Sequence, residues 1–387
     1  MSATPGRSSL PVAVAGVAAC AAACWAFLEA ESQWVVAALA AGVLAALPVL
    51  DRTGLRARFD AAVHARRALA PALVVTAAFA LALVLRDSHF ALLMLASVAL
   101  YVTVCLGLTL QFGFAGIANF AGAAFFGIGC YSAAILAANT ALPHLLAVLA
   151  GGLAAAAVGS VLILPILRTR GHYAALVTIA FGILFRTFLE VNDVLGGPQG
   201  LKVPGMRILG WSFNDPPPLP GGVEASFYLN YVIVAVALAA GAFVLVKRIE
   251  SSWIGLSFDA VRLDETAAAV CGIDIARWKI LAFVLGNFLA GTAGAVYAMM
   301  SGFIAPNSFT FGDSLILVSI VILGGVGNPL GVIPAALLLL ILPEKLQAIQ
   351  EYRFLIYAVL VILILLYRPQ GLLPRRLREY SAPGPRP

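Results

Sequence analysis

Long apolar runs, separated by short polar breaks, follow one another along nearly the whole chain. A membrane-spanning helix needs about 20 mostly apolar residues, with a lower limit of roughly 17. Runs of this kind lie at 11–29, 34–50, 69–86, 89–110, 118–138, 144–167, 172–190, 227–247, 279–300, 312–325, 332–346 and 353–368. The pattern predicts an all-α fold, a polytopic transmembrane helix bundle of about 10–12 spans. The short pair 312–325 and 332–346 flanks Gly324-Gly325-Val326-Gly327-Asn328-Pro329 and reads as broken or re-entrant helices. If it is re-entrant, the count falls from twelve to ten.

Composition explains why the runs cannot be soluble core. Hydrophobic residues make up 62% of the 387 positions and charged residues 11%, and mean hydropathy is +1.00. A soluble domain carries roughly 25% charged residues. Only a hydrocarbon solvent accommodates a chain this apolar.

Charge then orients the bundle. Basic loops stay on the cytoplasmic side, whereas Asp and Glu have little influence. With the C-terminal tail inside, the inside loops hold about 18 of the 24 Lys and Arg residues. These include Arg52, Arg56, Arg58, Arg66 and Arg67, then Arg168 and Arg170, then Lys247, Arg248, Arg262, Arg277 and Lys279, and finally Arg368, Arg375, Arg376, Arg378 and Arg386. The expectation is an even span count with both termini cytoplasmic. The chain divides into an N-terminal transmembrane region with a basic loop (1–88), a core (89–368) containing a long cytoplasmic loop (248–278), and a tail (369–387), disordered beyond Arg378. The net charge of +6 belongs to this bias. Because the basic residues sit beside spans without interleaved aromatics, nucleic acid is not expected as a partner.

Five cysteines imply no disulfide framework, because Cys20, Cys24, Cys105 and Cys130 lie in spans and Cys271 in a cytoplasmic loop. Val17-Ala18-Ala19-Cys20 resembles a lipoprotein cleavage box, but an alanine-rich first span accounts for it, with only Arg7 charging the region before it. His64, His89, His144 and His172 lie in loops or at span ends without ligand spacing, so no metal and no cofactor are expected. No GxxxxGK[ST] motif is present, so ATP is not bound by that route. Catalytic residues are absent from this reading, and the chain is expected not to be an enzyme.

Ion-coupled transporters need ionisable groups at membrane depth. The spans hold no acid away from their ends, Glu190 being terminal. Arg186 is the one deep charge, which would cost ~3 kcal/mol at a helix centre. It reads as a snorkelling residue or as a pathway residue.

Three features stand apart. In Arg248–Arg277, Ile254, Phe258 and Val261 recur at helical spacing, with Asp259 and Arg262 on the other side. Asp264 is then placed to cap a second short helix, with Glu265 in its first turn and Gly272 at its stop. Two short amphipathic helices around a polar corner form either a rigid projection suited to a partner's groove or a solvated loop on the membrane surface. Glycines cluster at 113–128 and at Gly286, Gly291, Gly294 and Gly302, which permits close helix packing or broken helices facing a cavity. The outer loop from Asn192 to Ser226, with Gly196-Gly197-Pro198-Gln199-Gly200 and Pro216-Pro217-Pro218, has too many turn signals for a random tether.

Several stretches carry a resemblance in common. They are Gly113-Phe114-Ala115-Gly116 with Gly122–Tyr131; Leu167–Tyr173 leading to Thr178, Ala180, Phe181, Gly182 and Arg186; Gly196–Leu201; Gly255–Tyr297; Gly324-Gly325-Val326-Gly327; and Arg368-Pro369-Gln370-Gly371-Leu372-Leu373. In this order they resemble the permease subunits of branched-chain amino-acid ABC importers, of the LivM type, over roughly 101–373. The resemblance implies that Asp264–Gly272 sits in a groove of an ATPase, with Arg262, Asp264, Glu265, Ala267, Ala268 and Gly272 as coupling residues. It implies candidate pathway residues Gly116, Asn119, Gly122, Phe126, Thr178, Phe181, Gly182 and Arg186, and an outer-loop signature Gly196, Gly197, Pro198, Gln199 and Gly200. Implied partners are a second permease, two ATPase subunits, a periplasmic or surface-tethered substrate-binding protein and the lipid bilayer of a bacterial cell membrane.

The chain departs from the family's usual Ser-Leu-Gly-His run at Ala118-Asn119-Phe120-Ala121-Gly122, and from its usual Glu after Phe-Gly at Ile183. These departures bear on substrate rather than fold. The expected function is inward passage of leucine, isoleucine, valine or a related small amino acid. A urea or short-amide importer permease, and a secondary transporter or channel of a different class, are the alternatives.

Overall fold

The computed structural model describes residues 9–30, 69–169, 172–208, 210–217, 225–345, 371–373 and 375, with a few isolated positions besides. The apolar runs form helices: α1 (Ser9–Glu29), α2 (Leu69–Val84), α3 (His89–Leu108), α4 (Gly122–Asn139), α5 (His144–Arg168), α6 (His172–Val191) and α7 (Tyr228–Ser251). Two short helices, α8 (Trp253–Leu263) and α9 (Glu265–Val270), lead into α10 (Ile275–Ser301), α11 (Phe311–Gly324) and α12 (Pro329–Lys345). Among the described residues, seven helices are long and apolar enough to cross a membrane. The expected spans 34–50 and 353–368, the basic loop between Arg52 and Arg67, and the tail beyond Arg378 lie outside the described residues.

One end of the bundle, called here the basic end, carries Arg168 at the close of α5, Arg248 at the close of α7, Arg262 on α8 and Arg277 at the start of α10. At the opposite end the long loop after α6 is pinned by short antiparallel pairs. Leu201–Lys202 (β1) pairs with Phe303–Ile304 (β4), and Arg207–Ile208 (β2) pairs with Trp211–Ser212 (β3). The turn leading into β1 needs Gly196 and Gly200, both at positive φ (82° and 75°), where a side chain would be strained.

Helix α10 is the hub, packing against α3, α4 and α5. Lipid tails are as apolar as leucine, so helix pairing in a bilayer depends on close packing rather than on burial from water. Small residues supply that closeness. A Cβ on Gly291 would lie 2.5 Å from Ala155 Cβ and 2.7 Å from the Gly151 carbonyl, and one on Gly286 would lie 2.6 Å from the Gly107 carbonyl.

The short pair α11 and α12 runs from end to end. Helix α11 starts just after the 3-10 turn Pro306–Ser308, where Asn307 meets Arg186 of α6 at 3.2 Å. Its closing turn reaches the basic end, where Gly327 faces Gly113 and Arg375. Helix α12 returns, and Lys345 Nζ at its close donates to the Leu28 carbonyl of α1 at 2.6 Å and to the Ala30 carbonyl at 3.2 Å. A cation thus meets the last carbonyls of α1, where helix-end charge is favourable.

Candidate coupling and pathway site

The projection between α7 and α10 is built by local capping. Ser252 breaks α7 from α8, and its hydroxyl accepts from the Ile254 N–H at 3.2 Å. Helix α8 buries Phe258 and Val261, with the Trp278 ring of α10 edge-on to Phe258 at 5.7 Å and to Trp253 at 5.3 Å. Asp264 stops α8 in extended backbone, and its carboxylate accepts from the N–H groups of Thr266 (2.8 Å) and Ala267 (3.0 Å). That satisfies two donors an unaided helix start would leave free. Glu265 follows and pairs with Lys279 of α10 at 2.6 Å. Gly272, at φ +78°, ends the turn after α9 in the left-handed conformation.

The coupling residues expected from the sequence are therefore divided in space. Asp264, Glu265, Ala267 and Gly272 are exposed, while Ala268 is buried beneath α9. Beside them Leu263 and Val270 are 68% and 85% exposed, and Trp253 and Leu256 of α8 are exposed as well, so the projection carries apolar surface among its polar groups. Arg262 is exposed too, but its guanidinium turns back to the bundle, where Nη1 donates to the Gly113 carbonyl at 2.7 Å. Burial, and then the positive charge of Arg375, lower the affinity of the Arg262 guanidinium for its proton, while Asp259 opposes them.

Gly113 lies where the regular helix fails. After Leu108, α3 widens into a π-helical turn at Thr109–Phe114, and residues 115–121 run without helical structure before α4 begins. Backbone groups freed at such a break have no water to bond if they lie in lipid. Here, side chains from two other helices and from the break itself supply partners. Thr178 of α6 accepts from the Phe120 N–H at 3.0 Å, Asn119 from the Ala121 N–H at 2.9 Å, and Ser314 of α11 from the Ala123 N–H at 3.1 Å.

A buried amide cluster locks the break to α10. Asn119 Nδ2 donates to Gln111 Oε1 at 2.7 Å and to Asn287 Oδ1 at 3.3 Å. Gln111 Nε2 donates to Asn287 Oδ1 at 3.0 Å and to the Phe283 carbonyl at 3.1 Å. Gln111, Asn287 and Ser314 did not stand out in the sequence. Their only signal is a polar side chain in or beside a span, and the bonds that tie Gln111 to Asn287 and Ser314 to Ala123 join positions more than 160 apart in the chain.

The other expected pathway residues take several roles. Gly116 is exposed, with the Arg262 Cγ 3.6 Å from where its Cβ would stand, so it belongs to the basic-end surface. Gly122 packs toward Leu317 and Leu108. Phe126 is buried against Tyr101, Tyr297 and Phe309, and Phe181 stacks on Phe125 at 5.4 Å. Gly182, by contrast, would meet nothing within 4 Å if it carried a Cβ. It lies on α6, which also exposes Leu176, Ile183, Leu184 and Phe188. Arg186 pairs with Glu190 at 2.8 Å one turn along α6 and bonds Asn307, toward the opposite end of the bundle. Of the outer-loop residues, Gly197 and Gln199 bound a 3-10 turn containing Pro198, between Gly196 and Gly200.

A helical bundle crossing a membrane many times, broken and pinned at one end beside a projecting helix pair, is a polytopic integral membrane protein with the build of a permease. The chain belongs to the branched-chain amino acid transport system permease component family, whose model matches residues 90–367, and it is the permease subunit of an ABC importer. It is 34% identical to the high-affinity branched-chain amino acid transport system permease protein LivM of Escherichia coli K12, over 71% of this chain and 68% of that protein. The probable LivM permease of Methanocaldococcus jannaschii is 24% identical, over 72% of this chain and 91% of its own length. The permease LivH of Escherichia coli K12 is also 24% identical, over 71% of this chain and 91% of its own length. No solved structure matches the chain.

Proposed function

We propose that this chain forms half of the translocation pathway of an importer for branched-chain or related small amino acids, beside a second permease and above two ATPase subunits. The observation that carries this reading is the Asp264-capped helix α9, tied to α10 through Glu265 and Lys279 and offering Ala267 and Val270 outward beside Leu263 of α8. A short preformed helix with an apolar edge suits a groove on a partner. The likeness to LivM and LivH, which are both permeases, supports a pair of unlike permeases. The positive-inside rule supports a cytoplasmic basic end in a bacterial inner membrane, with both termini inside. The match of residues 90–367 supports a core of 89–368, with the N-terminal helices and the tail as additions.

The cargo is handed over by a substrate-binding protein at the opposite end, where the loop pinned by β1–β4 stands ready. Among the described residues, the acids on long helices lie at their ends: Glu29, Glu190, Glu250, Asp313 and Glu344. Their position favours ATP over an ion gradient as the energy source.

The test is co-expression with the second permease, the two ATPases and the binding protein of one transport system, purified through a tag on this chain. The ATPases should co-purify, and proteoliposomes should take up leucine only with ATP and binding protein. Uptake by this chain alone, or without ATP, would overturn the reading.

A further inference from the structure

Arg375 stands only a few residues beyond the last apolar run, where a basic residue ordinarily lies in water. Its side chain is instead 8% exposed. Nη2 donates to Asp259 Oδ2 at 3.0 Å, and Nη1 stands 2.7 Å from Oδ1 as an ion pair, on a carboxylate that is itself 16% exposed; among the described residues, Oδ1 and the Arg375 Nε find no hydrogen-bond partner. The guanidinium lies 4.4 Å over the Phe114 ring, within 4.0 Å of Glu250, and 3.5 Å from the Gly113 carbonyl that Arg262 also holds. A planar guanidinium holds its nitrogens in a fixed fork, so several neighbours can be engaged at set directions as well as distances, which an ammonium would not do.

The main chain just before it is equally committed. The N–H groups of Leu372 and Leu373 donate to the Leu323 and Gly324 carbonyls at 2.7 and 3.1 Å, satisfying the last acceptors of α11. Asn328 Nδ2 donates to the Leu373 carbonyl at 3.0 Å. Gly371, at φ +76°, lies so flat on the turn that a Cβ would stand 2.6 Å from Gly325 Cα. One five-residue stretch thus touches the end of α3 at Gly113–Phe114, the turn between α11 and α12, and α8.

We propose that Arg375 is a positioning residue that joins the docking projection to these two helix ends, so that displacement of α8 and α9 moves both. The inference rests on the reading of α9 as the ATPase-docking element. A pair serving only stability could join any neighbours; this one joins the docking unit to both helix ends that meet at the break.

The experiment uses the full transporter with Arg375→Gln, Asp259→Asn, and the exchange Asp259→Arg with Arg375→Asp. Both single variants should retain their ATPases through purification, while leucine taken up per ATP hydrolysed falls about tenfold, within the usual range of coupling between sites. The exchange should recover most of it. Wild-type uptake per ATP in the single variants, loss of the ATPases, or an exchange that recovers nothing would overturn the proposal. Should Arg375→Gln fail to accumulate, Arg375→Lys, which keeps the charge without the fork, is expected to show the same loss. If the wild-type chain never binds ATPases, the docking reading fails, and the link is judged by hydrogen exchange of the chain in nanodiscs. Arg375→Gln should then speed exchange at both 113–116 and 325–328, and an unchanged rate at either overturns it.

Discussion

Glu265 and Lys279 meet at 2.6 Å across the corner between α9 and α10, so the first turn of the projecting helix is held by a charge pair to the start of the hub helix. Glu265 is the more exposed partner, at 56% against 19%. The same carboxylate can therefore serve two ends: it braces α9 from within, and it faces whatever docks there.

Charge reversal separates these roles. Glu265→Lys is expected to reduce ATPase co-purification and uptake together, with a change in stability of about 1 kcal/mol or less, as for other exposed pairs. Adding Lys279→Glu restores the internal pair but leaves the wrong sign on the docking face, so uptake should stay low. Pull-down and uptake assays on both variants decide the matter, and recovery in the double variant would assign Glu265 to bracing alone.

Close packing around α10 makes a second prediction. Gly291→Leu places side-chain atoms where the Ala155 methyl and the Gly151 carbonyl already stand. Overpacking of this kind costs about 1–3 kcal/mol or more, so the variant should melt well below the wild type in detergent. Gly241→Ala on α7, where a Cβ meets nothing within 4 Å, should leave the melting temperature unchanged or slightly raised. If both glycines tolerate substitution equally, the helices do not cross closely at α10.

Asn119 is tied to Gln111 and Asn287, and it also caps the Ala121 N–H. Its removal by Asn119→Ala leaves buried polar atoms without partners, which costs about 1–3 kcal/mol. Thr178→Val removes the acceptor for the Phe120 N–H and a local donor to the Ala175 carbonyl one turn back in α6, and should cost less. Thermal unfolding of the purified variants checks this order. A harmless Asn119→Ala would mean that water reaches the break and replaces the lost bonds.

Much of this arrangement was legible in local sequence. The apolar runs 89–110 and 118–138 stand apart in the sequence, and the break at 115–121 begins between them but takes the first four residues of the second run. Asp264, Glu265 and Gly272 announced α9 because a cap and a stop act over a few neighbouring residues. What could not be read was distance. Asp259 and Arg262 occupy the polar side of an amphipathic helix, which reads as a solvent face, yet they turn to Arg375 and Gly113, which are 116 and 149 positions away. The π-helical turn was equally hidden, because side chains from α6, α10 and α11 stabilise the break that follows it.

Gly182 provides the sharpest test of the reading of this chain as half of a pathway. On α6 it sits among exposed apolar side chains, and a Cβ there would meet nothing within 4 Å of this chain's own atoms. Glycine is poor for helix stability, so in a surface that faced only lipid a larger residue should be neutral or better. If instead the face of α6 meets the second permease or the cargo, bulk there is tolerated by the isolated chain and not by the transporter. Gly182→Trp should therefore leave expression and melting of the chain alone unchanged. It should abolish either co-purification of the second permease or uptake by the assembled transporter. Wild-type assembly and uptake would return the α6 face to the lipid and move the pathway elsewhere in the bundle.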